Sequence, residues 1–204
     1  MTMTEISAKD VKELRDRTGA GMMDAKRALQ EADGDMTKAE EILKTKGLAS
    51  AVKRADRSTG AGRVDAYVHF NNLVGVLIEI DCETDFTANT EEFQQLVKNV
   101  ALHIATPSAP RYVSREEVPE EVLEDERRIF EAQARELGKP DNVIPNIVEG
   151  KLKAFYEETV LLEQPYVRDD SKTIQGLLDE LSAKVGEKIV VRRFVRYRVG
   201  EETG

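Results

Sequence analysis

The sequence predicts an α+β protein: a small three-helix module at the N-terminus, then a larger domain in which helices cover an antiparallel sheet. Three observations carry this. Apolar residues between Ile6 and Lys46 recur near every 3.6 positions. From Val64 to Cys82 the period drops to two, and beyond Phe93 helical stripes return before the chain closes on a strand over 189–199.

The first helix opens at Ser7 as N-cap, with Asp10 three positions on and Ile6 and Val11 placed as a hydrophobic staple. Val11 and Leu14 form its stripe, and it ends near Thr18-Gly19. A second helix, Met22 to Ala32, carries Met22, Ala25, Leu29 and Ala32 on one face and stops at Asp33-Gly34; a third, Met36 to Lys46, stops at Gly47. Residues 49–62 are polar and basic, punctuated by Ser58, Gly60 and Gly62, and mark a linker.

Past the linker, Val64, Ala66, Val68 and Phe70 alternate with Asp65, Tyr67 and His69, and Asn71-Asn72 turns the chain into a return strand of Val74, Val76, Ile78, Ile80 and Cys82. A hairpin with one buried face is expected. Residues 83–90 form a loop, and Phe93, Leu96, Val97, Val100, Ala101 and Ile104 make a helical stripe that Pro107 ends. Further helices are expected from Pro119 to Leu137, closed by Gly138, and from Asn142 to Tyr156, with Pro145 in the first turn. Residues 164–170 are expected to be extended or irregular, and Ile174 to Val185 to form a helix closed by Gly186. On the last strand Ile189, Val191, Val195, Tyr197 and Val199 share an apolar face, with Arg192, Arg196 and Arg198 beside Phe194 on the other.

Composition narrows the function. With 40% hydrophobic and 34% charged residues the chain has the balance of a soluble globular protein, and no apolar run is long enough for a membrane span. The start, MTMTEISAKD, has neither a secretory nor a transit-peptide pattern, so a cytoplasmic location is expected. Cys82 is the only cysteine and His69 and His103 the only histidines, which leaves no disulfide and few parts for a zinc site. A net charge of −9 argues against direct nucleic-acid binding and favours protein partners. Lys44, Lys46, Lys53, Arg54, Arg57 and Arg63 nonetheless form a basic run, and 115–136 an acidic one.

The chain lacks a phosphate-cradling Gly-rich loop with Lys-Ser or Lys-Thr, a Gly-x-Ser-x-Gly elbow and a His-Glu-x-x-His motif. No cofactor is expected, and enzyme chemistry would have to come from carboxylate pairs. Met22 and Met23, side by side at a helix start, point about 100° apart, so either one is exposed or both fill an irregular core gap. In the loop after Cys82, Phe86 either folds back over the Phe93 helix or stands out as an aromatic anchor flanked by Asp85. His103, at the edge of an apolar stripe, fits a partly buried structural histidine better than an acid–base group.

Residues 18–29, TGAGMMDAKRAL, resemble the N-terminal signature of the elongation factor Ts family, and CETDF at 82–86 resembles its second signature. Similarity continues through LHIAT at 102–106, GKP at 138–140, VEGKL at 148–152 and LLEQPYVRDDSKTI at 161–174. The resemblance implies a ubiquitin-associated-like domain over 1–48 that binds elongation factor Tu, a basic linker over 49–62, and a core and dimerisation domain over 63–204. It implies that Arg15, Met22 and Met23 grip the nucleotide-binding domain of Tu. Asp85 and Phe86 would then reach the magnesium and phosphate region, with Thr84 also in the contact with Tu, and His103 would lie at the interface. The position after Phe86, commonly valine in the family, is Thr87 here. The chain resembles the short branch, with one core copy where longer relatives have two, which implies a homodimer.

The expected function is therefore allosteric guanine-nucleotide exchange on elongation factor Tu, whether GDP-bound or nucleotide-free, with no covalent step. The alternative is a ubiquitin-associated-type adaptor that binds proteins without exchange activity. It leaves the CETDF loop and the large second domain without a role.

Overall fold

A computed structural model describes residues 6–18, 20–54 and 56–201, without the side chains of 48–53. Gly19, expected to close the first helix, Ala55 in the expected linker and the side chain of Lys53 lie outside that description. The chain forms two compact units: Met1–Arg63 with Ile80–Leu96 and Gly176–Val190, and Val64–Glu79 with Val97–Gln175 and Val191–Gly204.

In the first unit, α1 (Ala8–Thr18), α2 (Met22–Glu31) and α3 (Met36–Arg54) enclose a small core. Ser7 and Asp10 cap α1 reciprocally: the Ser7 hydroxyl accepts the Asp10 N–H at 3.1 Å, and the Asp10 carboxylate accepts the Ser7 N–H at 3.3 Å. Leu14, Leu29 and Val11 are buried among Ala25, Ala28, Ala32 and Ala39, small residues that let the helix backbones approach closely. Asp33 and Gly34, at φ 52° and 85°, make the predicted stop of α2.

Two expectations fail here. Met22 is half exposed and is not part of the buried stripe, which begins one turn later at Ala25. The third helix does not stop at Gly47 but continues to Arg54. A lone glycine costs a helix only about 1 kcal/mol relative to alanine, and the residues that follow it are mostly good helix formers.

Strands β1 (Ala61–Val68), β2 (Val74–Cys82) and β5 (Val190–Arg198) form a three-stranded sheet in the order β1-β2-β5. The Asn71-Asn72 turn is as predicted: Asn72 has φ 57°, and the His69 N–H reaches the Val74 carbonyl at 2.9 Å. The Val199 N–H bonds the Leu73 carbonyl at 2.9 Å, which places the end of β5 against the start of β2 and makes that pair antiparallel. Gly62 belongs to β1 and is not linker punctuation: a Cβ there would sit 2.6 Å from the Ile80 carbonyl oxygen, so only glycine permits that strand approach.

The single buried face expected for the hairpin is found on β2 only. Val74, Val76, Ile78, Ile80 and Cys82 are buried, whereas Val64, Ala66 and Val68 of β1 are exposed and Asp65 and Tyr67 are half-buried. Side chains alternate along a strand, so the register set by the turn puts the apolar sets of the two strands on opposite faces. On β5, Ile189 and Val191 are buried as expected, but Val195, Tyr197 and Val199 are exposed. Arg196 is instead nearly buried, its guanidinium bonded to both oxygens of Glu201 at 2.8 Å.

Helix α5 (Glu91–Ile104) follows β2 after a short turn, and its residues Phe93, Val97, Val100 and Ile104 are fully buried. In the second unit, α6 (Glu120–Glu136) packs on α7 (Ile144–Thr159) through Phe130, Ala134, Ile144, Ile147, Val148 and Leu152. Pro119 is the N-cap of α6 and not its first helical residue. The segment after Gln164 pairs β3 (Pro165–Tyr166) with β4 (Asp169–Thr173). Helix α8 (Ile174–Val185) closes at Gly186, φ 77°. Among the described residues no helix is long and apolar enough to cross a membrane.

Candidate functional site

The segment after Cys82 is built to hold an aromatic ring in solvent. Thr84 is extended, at φ −130° and ψ 153°, and its hydroxyl accepts the Thr87 N–H at 3.3 Å, which starts the one-turn helix α4 (Asp85–Ala88). Asn89 closes that turn: its N–H and its side-chain amide reach the Asp85 carbonyl at 3.1 and 2.8 Å. Thr90 then caps α5, accepting the Phe93 N–H at 3.3 Å. A single turn has only two sides. Thr87 and Ala88 take the buried one, which leaves Asp85 exposed and Phe86 80% exposed. The ring lines a shallow depression together with Asp85, Asn89 and Thr90.

Glu187, which sequence reasoning missed, anchors the start of this turn from the far end of the chain. Its carboxylate accepts the N–H groups of Glu83 and Thr84, both at 3.1 Å, and the Thr84 hydroxyl at 2.7 Å. Burial alone would push the Glu187 carboxyl up, but hydrogen bonds from the Thr84 and Thr87 hydroxyls and from those two backbone groups together hold it below the ordinary carboxylate value. Glu83 answers in kind: its carboxylate accepts the Lys188 N–H at 2.6 Å and an Arg57 guanidinium at 3.2 Å. The Cys82 thiol is buried and donates to the Thr84 carbonyl at 3.1 Å. Burial, with the Glu187 charge nearby, raises its pKa, so it is a packed thiol and not a nucleophile. No local pattern pairs Glu83 with a residue 104 positions away, and only a covariation signal could have found Glu187.

The other predicted residues separate into two groups. Met22 and Met23 begin α2 and are 48% and 60% exposed, so neither fills a core gap; Arg15 is exposed on α1. These three and the Thr84–Phe86 turn belong to the same compact unit. His103 belongs to the other unit and is buried. Its Nε2 meets the Gln164 side-chain oxygen at 2.9 Å and its Nδ1 accepts the Val167 N–H at 3.3 Å. Gln164 is itself held by the Ser108 and Glu158 carbonyls. Both ring nitrogens are therefore used inside the fold, and a direct contact through them would require those bonds to break. Burial lowers the His103 pKa, with the Gln164 bond opposing it to a smaller degree.

What the first group can do chemically is bind: exposed methionines, an exposed phenylalanine and a carboxylate beside it. The family model described as "Elongation factor TS" matches residues 7–201. An elongation factor Ts of Thermoanaerobacter sp. is 58% identical over 196 residues, covering 96% of both chains. Those of Caldanaerobacter subterraneus subsp. tengcongensis and Thermosipho melanesiensis are 57% and 54% identical over 96% of this chain and 98% and 100% of their own.

Proposed function

The chain belongs to the elongation factor Ts family, and from that premise we propose that it is the guanine-nucleotide exchange factor of elongation factor Tu in translation elongation. The observation that carries the mechanism is the 80% exposure of Phe86 on a turn capped at both ends, by the Thr84 hydroxyl and by Asn89. A large apolar ring held in water gains by burial in a partner, and Asp85 beside it brings a negative charge. Inserted next to the magnesium and phosphate site of the GTPase, the pair disturbs the groups that hold the nucleotide.

No covalent step is needed. A factor that binds nucleotide-free Tu more tightly than Tu with GDP must, by linkage, weaken GDP binding by the same factor. In this proposal residues 1–48 form the ubiquitin-associated-like module, and Arg15, Met22 and Met23 grip the nucleotide-binding domain of Tu. The basic stretch over 49–62, which includes the end of α3 and the start of β1, leads into the core domain over 63–204, with Thr84, Asp85 and Phe86 at the exchange contact and His103 supporting the interface from inside the fold. The test is release of a fluorescent GDP from Tu at substoichiometric factor. Multiple turnovers support exchange, and stable binding without release would replace it with an adaptor role.

We also propose a homodimer. Val64, Leu77 and Val195 lie together across the three strands on an exposed sheet face, with Glu79 bonded to Arg193 at 2.6 Å among them. Exposed apolar side chains grouped around an ion pair on a sheet face suit a self-complementary contact, and a second copy covers them symmetrically. Sedimentation equilibrium at micromolar concentration distinguishes the dimer from a 22.9 kDa monomer, and finding only the monomer would remove it.

A further inference from the structure

An exposed aromatic works as a wedge only if it is presented in one conformation. Ordering a loop residue costs about 1–2 kcal/mol of backbone entropy, and a loop that pays this on binding loses it from the affinity of the complex. The bonds within residues 84–90 shape the turn itself. They do not fix how the turn leaves β2.

That junction is held from outside. We infer that Glu187 is a positioning residue for exchange: its carboxylate, by accepting the Glu83 and Thr84 N–H groups and the Thr84 hydroxyl, fixes the direction in which Asp85 and Phe86 project. This rests on Asp85 and Phe86 being the exchange contact. Hydrogen bonds to an ionised acceptor are roughly twice as strong as neutral ones, and three of them converge on this one side chain.

Glu187 is itself aimed. Gly186 ends α8 in the left-handed region, and the Ser182 hydroxyl donates to the Glu187 carbonyl at 2.6 Å, so the residue leaves the helix in a set direction. The reciprocal bond from the Lys188 N–H to the Glu83 carboxylate prevents the two segments from sliding. Arg57 locks the pair, donating from one guanidinium nitrogen to Glu83 and to the Gly186 carbonyl at 3.3 Å, while the Lys188 ammonium donates to the Arg57 carbonyl at 3.1 Å.

The test is a double-mutant cycle on stimulated GDP release with the full-length protein, using Glu187→Ala, Phe86→Ala and the double variant. Glu187→Ala should slow release about fivefold in the parent and add nothing once Phe86 is gone, because an effect exerted through Phe86 vanishes with it. Glu187→Gln, which keeps one carbonyl oxygen for the two N–H groups, should lose only about twofold, and it carries the same cycle if the alanine variant does not fold. Hydrogen exchange supplies the readout that general destabilisation does not move: the Glu83 and Thr84 amides should lose protection in Glu187→Ala while those of Ala28 and Leu29 in α2 keep theirs. Normal release by Glu187→Ala, or losses that multiply in the double variant, would overturn the positioning role while leaving the Phe86 contact intact. Normal release by Phe86→Ala would instead remove the contact on which it rests.

Discussion

Phe86 and Phe93 stand on consecutive helices of one compact unit and meet opposite fates: Phe86 is 80% exposed and Phe93 is fully buried. Both are phenylalanines in acidic, polar surroundings, so residue type does not separate them. Phe93 has Leu96, Val97 and Val100 at helical spacing on a fourteen-residue helix and joins their stripe. Phe86 lies in a four-residue helix whose buried side is already taken by Thr87 and Ala88. An apolar residue is drawn into the core when its element has an unfilled apolar side, and is left to a partner when it has none.

The largest expected effect comes from the buried ring. Phe93→Ala should cost about 3–5 kcal/mol of folding stability, read from the shift in denaturant midpoint, because it leaves a cavity in a well-packed core. Loss of exchange activity would follow only to the extent that the protein unfolds.

Phe86→Ala is the counterpart. It should slow stimulated GDP release by about tenfold or more, equivalent to ~1.4 kcal/mol, while the thermal midpoint stays close to that of the parent. A drop in stability as large as that of Phe93→Ala, with exchange per folded molecule unchanged, would erase the distinction between the two rings.

His103 sharpens the comparison from the other side, as a residue marked by the family signature that the fold buries. Its pKa is lowered in the folded protein, so the unfolded chain binds a proton more readily near the ordinary value of 6.5. The stability it contributes is fully present above that pH and is lost as pH falls from 6.5 toward the lowered folded value. Denaturant titrations across this range should show a shallower slope for His103→Asn than for the parent. Equal slopes would mean that the imidazole is protonated without penalty, as a solvent-facing interface residue would be.

The candidate site was legible in part because its signals are local. The Ser7–Asp10 box and the Asp33-Gly34 stop each depend on residues a few positions apart, and both form as expected. That Phe86 follows a buried strand was equally plain, but the one-turn helix that carries it, where a loop was expected, and its exposure were not, because folding back over the next helix satisfied the same pattern. The end of α3 was misplaced for the opposite reason: Gly47 is a strong local signal that helix propensity on either side outweighs.

The sequence by itself determined the helical module, the hairpin and its turn, the buried set on β2 and the family to which the chain belongs, since each is written in spacing or in contiguous motifs. Only the tertiary structure decided which way the apolar residues of β1 and of the end of β5 face. Alternation defines two faces without saying which one the register turns inward. The structure also decided that Glu187 reaches Glu83 and Thr84. A carboxylate finds distant N–H groups through the path of the whole chain, and no rule of local spacing contains that path.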